Sequence, residues 1–316
     1  MPGLRNKNGG PETGSVLHLS SENTKLATMN EPKVKQSPTF AVVIHEDDLG
    51  MCHGANTAFV ELSGLGACTS GSVMVPCPWY AEIIDLTAGN SYDVGVHLTL
   101  NSEKKHYRWR PLEARSRSGG LVDSAGFFHS NVPATRELAD PRAVEDELRA
   151  QIESTLAAGL HPSHLDAHMG CACTPEFIDI YVKLAAEYEI PAMLPKSFSD
   201  FDPAANWGDY EPEACNRKLG DLDLSWAIQF DAVIETPWRD SSSLEERYDR
   251  FFGRLQRGKN FLALHFNAPG EIEFIDAAMG ARTRVAEYEY FRSSGIAERL
   301  KSIGAAPIPF RLLARN

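Results

Sequence analysis

The sequence has few cysteines, no long apolar run and no excess of basic charge, and each absence argues against a class of protein. Six cysteines are scattered over 316 residues, which argues against a secreted disulfide framework and favours a reducing cytoplasm. No stretch approaches the ~20 apolar residues of a membrane span, and the first ten residues lack the apolar segment of a secretory signal. The net charge of −12 argues against a general nucleic-acid binder. We therefore expect a cytoplasmic protein without membrane or nucleic-acid partners.

Composition divides the chain into a tail and a single domain. Residues 1–38 are rich in Gly, Asn, Ser, Lys and Pro, which predicts a flexible N-terminal tail. Residues 39–316 alternate strand-like and helix-like segments, which predicts one α/β domain. A polar, Gly- and Arg-rich stretch at about 103–140 interrupts this alternation, and we interpret it as an insertion that is functional or mobile.

The alternation predicts parallel strands connected by helices. Apolar runs such as "FAVVIH" are typical of buried strands. The segment "DPRAVEDELRAQIESTLAAGL" predicts a helix with Asp140 as N-cap and Pro141 in the first turn. "EYEYFRSSGIAERLKSIG" predicts one last helix, whereas "LDLSWAIQFDAVIE" fits a helix or a strand. Seven or eight such units favour a (β/α) barrel, and no glycine-rich nucleotide loop follows the first strand.

Four of the predicted strands end in acidic residues or histidines. These ends are His45-Glu46-Asp47-Asp48, His97, His164-x-Asp166-x-His168 and His265. In a parallel barrel the carboxyl ends of the strands meet on one face, where active sites lie. Alternation would also place the three polar residues of the third segment on one side of their strand. We therefore expect these side chains to lie close together.

Such a cluster has the composition of a hydrolytic metal site. Two imidazoles and one carboxylate leave coordination positions open, and a second carboxylate can take a proton from water. The adjacent Asp47 and Asp48 can supply both carboxylates. Each residue also has a purely structural alternative: His97 as a buried core histidine, and the Asp pair as a turn or helix cap. In the insertion, Tyr107, Trp109 and Arg110 would either stack on a sugar or pack against the barrel.

Four motifs in this order resemble those of the YdjC-like carbohydrate deacetylases, distant relatives of the polysaccharide deacetylases. The motifs are "HEDDLGM" with the asparagine at position 56, "VGVHLTLNSE", "PSHLDAHMG" and "ALHFNAPGE". The resemblance extends over about residues 39–312. It implies a distorted (β/α) TIM-like barrel and metal-dependent removal of an N-acetyl group from an amino sugar or oligosaccharide. Met169-Gly170, Phe266-Asn267-Ala268 and Glu46 depart from the common family pattern.

The resemblance also implies roles for individual residues. Asp48, His97 and His168 correspond to metal ligands, Asp47 to the general base, and His265 to a group that protonates the leaving amine or stabilises the oxyanion. A further group is expected to contact substrate: Glu46, Glu103, Trp109, Arg110 and Asp166. The cofactor is a divalent metal ion, with zinc or magnesium expected and manganese or cobalt as alternatives.

The sequence leaves other functions open. A metal-dependent hydrolase of an ester or phosphoester is one alternative, although di-metal phosphatases usually need additional bridging carboxylates and Asn or His ligands, and the sequence shows no obvious second set. A non-catalytic carbohydrate-binding barrel would keep the fold, although binding alone does not require the additional carboxylate of Asp47. The identity of the sugar and the oligomeric state, with a homodimer among the alternatives, are also open.

Overall fold

The computed structural model describes residues 40–89, 91–113, 119–293 and 295–314. The predicted tail, residues 1–38, lies outside these ranges. The described part begins directly with the first predicted strand, so the fold can be followed from "FAVVIH" onward.

Parallel strands form the centre of the domain. Within the described ranges the strands are Phe40–Leu49 (β1), Ser70–Val73 (β2), Val94–Leu98 (β3), Leu165–Ala167 (β4), Met193–Pro195 (β5), Ile228–Phe230 (β6), Ala232–Glu235 (β7), Gly258–Leu264 (β8) and Ala305–Pro307 (β9). The main sheet has the order β4-β3-β2-β1-β8-β7, and β9 pairs with the first residues of β1. Strands β5 and β6 form a small second sheet. All pairings between these strands are parallel.

The sheet is curled, and helices connect its strands. A parallel bridge between Leu165 and Ala192 links the edge strand β4 to the residues that precede β5. Among the described residues the helices are His53–Gly64 (α1), Tyr80–Thr87 (α2), Val132–Leu138 (α3), Pro141–Ala157 (α4), Ile178–Glu187 (α5), Pro212–Gly220 (α6), Leu244–Phe252 (α7), Ile272–Ile275 (α8), Ala278–Ser293 (α9), Ile296–Ser302 (α10) and Phe310–Leu313 (α11). This arrangement confirms the predicted distorted (β/α) barrel.

The sequence predicted the boundaries of some helices correctly and those of others incorrectly. Helix α4 begins as predicted: the Asp140 side chain accepts a hydrogen bond from the Arg142 amide, and Pro141 occupies the first turn. The single last helix predicted from residue 287 is wrong, because α9 already begins at Ala278 and α10 follows as a separate helix. The ambiguous segment after residue 221 contains two short strands, β6 and β7.

Neither the cysteines nor the apolar helices depart from the expectations drawn from the sequence. All six cysteines are described, and each is free and buried. Among the helices of the described ranges, none combines the length and apolar character needed to cross a membrane.

Candidate metal and active site

The end of β1 presents two adjacent aspartates to the same site. Regular alternation would send Asp47 and Asp48 to opposite faces of the strand. The pairing register between β1 and β2 shifts between Glu46 and Leu49, and Asp48 has a left-handed backbone with φ of 65°. Aspartate tolerates this conformation better than most residues. The irregularity therefore turns Asp48 back toward the side that Asp47 faces.

Three buried side chains converge where β1, β3 and β4 end. Asp48 Oδ1 lies 3.0 Å from His168 Nδ1 and 3.5 Å from His97 Nε2. One ligand atom from each residue lies within 4.8 Å of the other two. His97 Nε2 is buried, and it has no hydrogen-bond partner among the described residues. Buried polar atoms normally have partners, so these residues fit a divalent cation with mixed nitrogen and oxygen ligands.

The charges around this group favour a bound cation. Burial raises the pKa of Asp48, but Arg284 and His168 outweigh that effect and hold it well below its usual value. Burial lowers the pKa of His168, but Glu103 and Asp48 outweigh it and raise it to about 9. Carboxylates thus stabilise positive charge at the position that the three ligand atoms share.

The outer nitrogen of each histidine is held by a carboxylate. His97 Nδ1 lies 3.0 Å from Asp166 Oδ2, which also accepts a 2.9 Å hydrogen bond from the Ser72 hydroxyl. His168 Nε2 lies 2.9 Å from Glu103 Oε2. Such carboxylates fix the ring orientation and tautomer of metal-binding histidines. Asp166 and Glu103, both expected to contact substrate, therefore lie beside the histidines, and only Glu103 of the two lines the pocket.

A closed series of ion pairs surrounds the ligands, and sequence reasoning missed most of it. Arg284 Nη2 donates to Asp48 Oδ2 at 2.8 Å, and Arg284 Nε lies 3.3 Å from Asp276 Oδ2. Lys104 Nζ lies 2.9 Å from Asp276 and 3.0 Å from Glu103 Oε1. The Arg284 side chain is 3% exposed, and no short motif in helix α9 indicates its role. The network fixes the oxygen of Asp48 that is turned away from the histidines.

Asp47 lies next to the three ligands with one oxygen free toward them. Its Oδ1 is 2.6 Å from His45 Nδ1, whereas Oδ2 lies 3.9 Å from both His97 Nε2 and His265 Nε2. Burial raises the pKa of Asp47, against the opposing effects of His97 and His45. A carboxylate in this position is suited to accept a proton.

His265 lies beyond Asp47, held from behind by a second buried carboxylate. Its Nδ1 lies 2.9 Å from the Thr236 hydroxyl, which donates to Glu287 Oε2 at 2.9 Å. The Trp238 ring packs against the imidazole with centroids 4.7 Å apart. Burial and the positive charge of Arg284 hold the pKa of His265 well below its usual value. The imidazole is therefore neutral, with Nε2 directed toward Asp47.

These groups open into a pocket of about 340 Å³. Its lining includes Asp47, Asp48, Glu103, Lys104, His168, Glu235, Trp238, Arg239, His265, Asp276 and Arg284. Burial raises the pKa of Glu235 to about 7, and the Trp238 indole donates to Glu235 Oε1 at 3.1 Å. Neither Glu235 nor Trp238 was predicted from the sequence to belong to the site. Glu235 is nevertheless the last residue of β7, and polar residues at the ends of other strands were the basis of that prediction.

Three residues expected to contact substrate lie away from this pocket. Glu46 is fully buried, and its Oε2 accepts a hydrogen bond from the Phe266 amide. Trp109 is 3% exposed and donates its indole hydrogen to the Asn101 carbonyl. Arg110 donates to two carbonyls of its own loop and lies over the Phe127 ring. Trp109 packs within the domain, whereas Arg110 is exposed and contacts its own loop, and neither residue lines the pocket.

Comparison with known proteins places the chain in a family. The family described as "YdjC-like protein" matches residues 41–302. A protein of Thermus thermophilus named carbohydrate deacetylase is 38% identical over 49% of this chain and 54% of its own length. A protein of the same name from Thermoanaerobacter pseudethanolicus is 26% identical over 48% of this chain and 58% of its own length. The chain thus spans less than two thirds of the length of these curated relatives.

A solved structure supports the fold independently of sequence identity. A protein from Enterococcus faecalis superimposes with a TM-score of 0.71 at 19% identity, covering 87% of this chain and 99% of that protein. At this identity the match concerns the fold alone. The family match, which covers residues 41–302, assigns the chain: the protein belongs to the YdjC-like family.

Proposed function

We propose that this protein is a metal-dependent hydrolase that removes an N-acetyl group from an amino sugar or oligosaccharide. One observation carries the proposal: Asp48 Oδ1, His97 Nε2 and His168 Nδ1 converge beside the free oxygen of Asp47 at the base of a pocket. A hydrolase needs such a pairing of a cation site with a nearby base, whereas binding alone does not. The curated relatives named carbohydrate deacetylase support the choice of substrate class.

Asp48, His97 and His168 would hold the metal. When bound, a divalent ion there would polarise the acetamide carbonyl and acidify the attacking water. Mixed nitrogen and oxygen ligands favour zinc, with magnesium, manganese and cobalt as alternatives. The carboxylates of Asp166 and Glu103 keep the two imidazoles oriented for this task.

Asp47 is the general base in this proposal. Its Oδ1 is engaged by His45, so Oδ2 receives the proton of the water. Burial raises the pKa of Asp47, which strengthens it as a base. The same burial excludes competing solvent, since Asp47 is 8% exposed.

His265 delivers a proton to the departing amine. Because the Thr236 hydroxyl donates to Glu287, it accepts from His265 Nδ1–H, and Nε2 is left as the acceptor facing the pocket. A proton taken up by Asp47 Oδ2 has Nε2 of His265 as its neighbour at 3.9 Å. From there the proton can pass to the nitrogen of the amine as the C–N bond breaks.

The sugar would contact the far wall of the pocket. Trp238 and Glu235 offer an aromatic face and a carboxyl group, and Glu103 faces the same space. Aromatic faces and a few fixed polar groups are the usual components of small-ligand pockets. We assign substrate orientation to Trp238 and Glu235.

Acetate release from N-acetylated mono- and oligosaccharides tests the proposal. We expect release by zinc-loaded protein, loss with a chelator and recovery when zinc is restored. Asp47→Asn removes the base and should reduce kcat by about 10²- to 10⁴-fold. His168→Ala should abolish metal-dependent activity by removing a ligand. His161→Ala changes an exposed histidine outside the pocket and should leave activity unchanged.

Two results would contradict this function. Full activity in Asp47→Asn and His168→Ala would remove the assigned residues from the reaction. Tight sugar binding by metal-loaded protein with no acetate release would instead indicate a binding protein, and release from esters alone would indicate a different bond.

A further inference from the structure

A chain of buried polar side chains leads from Asp47 through the barrel interior. Asp47 Oδ1 lies 2.6 Å from His45 Nδ1, and His45 Nε2 lies 3.0 Å from His164 Nε2. The other nitrogen of His164 lies 2.9 Å from the Ser163 hydroxyl, which is 2.7 Å from Asp93 Oδ1. Both imidazoles are fully buried. The reaction proposed above uses Asp47 and its contact with His45, but it gives no role to His164, Ser163 and Asp93 behind them.

Packing holds both rings in one orientation. The Phe310 ring stacks on His164 with centroids 4.2 Å apart, and Phe261 packs on His45 at 4.5 Å. On the neighbouring strand β3, Gly95 leaves room for the His164 ring: a Cβ atom there would lie 2.6 Å from Cε1. The sequence therefore builds a close fit around two polar rings, which a core without a role for them would not need.

The direction of the hydrogen bonds is set at Asp93. Its Oδ2 accepts from the backbone N–H and the Nε–H of Arg311, and its Oδ1 accepts from the Ser70 hydroxyl. Burial raises the pKa of Asp93, but the hydrogen bonds that its carboxylate accepts outweigh burial and lower this pKa below its usual value. Asp93 is therefore a carboxylate that can only accept. The Ser163 hydroxyl must donate to Asp93, so it accepts from His164 Nδ1–H.

The positions of the hydrogens can be assigned in the same way from His164 to Asp47. Burial and the charge of His45 hold the pKa of His164 at about 4, so His164 is neutral and its Nε2 carries a lone pair. His45 then donates its Nε2–H to His164, since the competing oxygen of Asp166 lies 3.8 Å away. The short contact between His45 Nδ1 and Asp47 Oδ1 needs one proton, because two lone pairs would repel at 2.6 Å.

We propose that Asp93, Ser163 and His164 are positioning residues that hold the Nε2–H of His45 toward His164 and thereby keep the Nδ1–H of His45 in its bond to the Asp47 carboxylate. The bond holds Oδ1 and leaves Oδ2 of Asp47 turned toward the metal ligands. The inference rests on the proposed function for its catalytic consequence. The arrangement of protons in the chain is independent of any reaction.

The test uses Ser163→Ala, which removes the hydroxyl between His164 and Asp93. Ser70→Ala is the matched control, because it removes the other hydroxyl from the same Asp93 oxygen without touching His164. Ser163→Thr restores a hydroxyl at the original position. Long-range ¹H–¹⁵N spectra of full-length histidine-labelled protein report which ring nitrogens carry protons, and a His164→Asn spectrum assigns the His164 signals.

We expect wild-type protein to show His164 protonated on Nδ1, and Ser163→Ala to lose this single tautomer. In the zinc-loaded protein kcat of Ser163→Ala should fall about fivefold to tenfold, the effect of one lost hydrogen bond, with KM and zinc affinity unchanged. Ser70→Ala should keep the His164 signals and kcat, and Ser163→Thr should recover both.

An unprotonated Nδ1 of His164 in wild-type protein would overturn the inference, as would unchanged His164 signals in Ser163→Ala. Protein that shows the expected tautomer but releases no acetate would support the chain while rejecting the proposed function. The two failures are therefore distinguishable.

Discussion

The imidazole of His97 has two different surroundings on its two nitrogens. Nε2 faces Asp48 and Asp47 without a hydrogen-bond partner among the described residues, whereas Nδ1 lies 3.0 Å from Asp166. An ionised Asp166 can only accept, so Nδ1 of His97 carries the hydrogen and Nε2 carries the lone pair when a metal is bound. Asp166 thus determines which nitrogen of His97 is available to bind the metal. The Asp166 side chain is itself buried, with 1% of its surface exposed.

Asp166→Asn separates this role from the substrate contact expected from the sequence. The amide is a weaker acceptor and can present its donor group, so zinc affinity should fall about 10- to 100-fold. KM at saturating zinc should not change, because Asp166 does not line the pocket. Calorimetric zinc titration and steady-state kinetics measure the two quantities. Asp179→Asn, on the exposed side of α5, is the control. An altered KM with unchanged zinc affinity in Asp166→Asn would instead indicate that Asp166 contacts the substrate.

At the scale of secondary-structure elements, β1 shows how far the sequence predicts this site. The apolar run followed by acidic residues predicted a strand that ends at the active face. Alternation could not predict that Asp47 and Asp48 face the same site, because this depends on the register shift and on the positive φ of Asp48. The sequence carries no separate signal for such a shift, since aspartate before Leu-Gly fits an ordinary turn equally well.

Elements that reach the site from a distance were the hardest to predict. Arg284 lies in α9 and Lys104 in the insertion, and Asp276 connects them only in the folded chain. No spacing rule relates residues separated by about 180 positions in sequence. The boundary between α9 and α10 was missed for a local reason: Gly295 adopts φ of 60°, which interrupts a run that otherwise continues the helical pattern.

Gly95 in β3 tests the close packing of these elements. In Gly95→Ala the new Cβ would lie 2.6 Å from both the carbonyl oxygen and the ring of His164, so β3 and β4 must separate. We expect a loss of about 1–3 kcal/mol in the free energy of unfolding, as in other overpacked cores. Gly64→Ala, at the end of α1 with no described atom within 4 Å of the new Cβ, should be neutral or stabilising by about 0.5–1 kcal/mol. Urea unfolding measures both, and equal midpoints would contradict the contact.

At the scale of the whole molecule, the barrel interior contains titratable groups among its apolar residues. His45 and His164 lie fully buried between Phe261 and Phe310. His164 ties the stability of the entire domain to pH, because folding changes its affinity for protons. His164 contributes to this effect in mild acid, since burial and His45 lower its pKa to about 4 from a value near 6.5 in the unfolded chain.

The sign of the effect follows from that depressed pKa. Above about pH 6.5 His164 is neutral in both states and contributes no pH dependence. Between about pH 6.5 and pH 4 the unfolded chain binds a proton on His164 that the folded domain excludes, so the contribution of His164 to stability falls as pH falls. A difference of about 2.5 pKa units corresponds to a loss of roughly 3 kcal/mol across this range.

Urea unfolding of metal-free protein at a series of pH values measures this loss. His164→Asn has no group that titrates at this position, so its stability should fall less steeply between pH 6.5 and pH 4 even if it is less stable at pH 7. His161→Asn removes an exposed histidine and should retain the wild-type slope. If the slopes of wild-type protein and His164→Asn coincide, the folded domain accepts a proton on His164, and burial within the barrel does not exclude it.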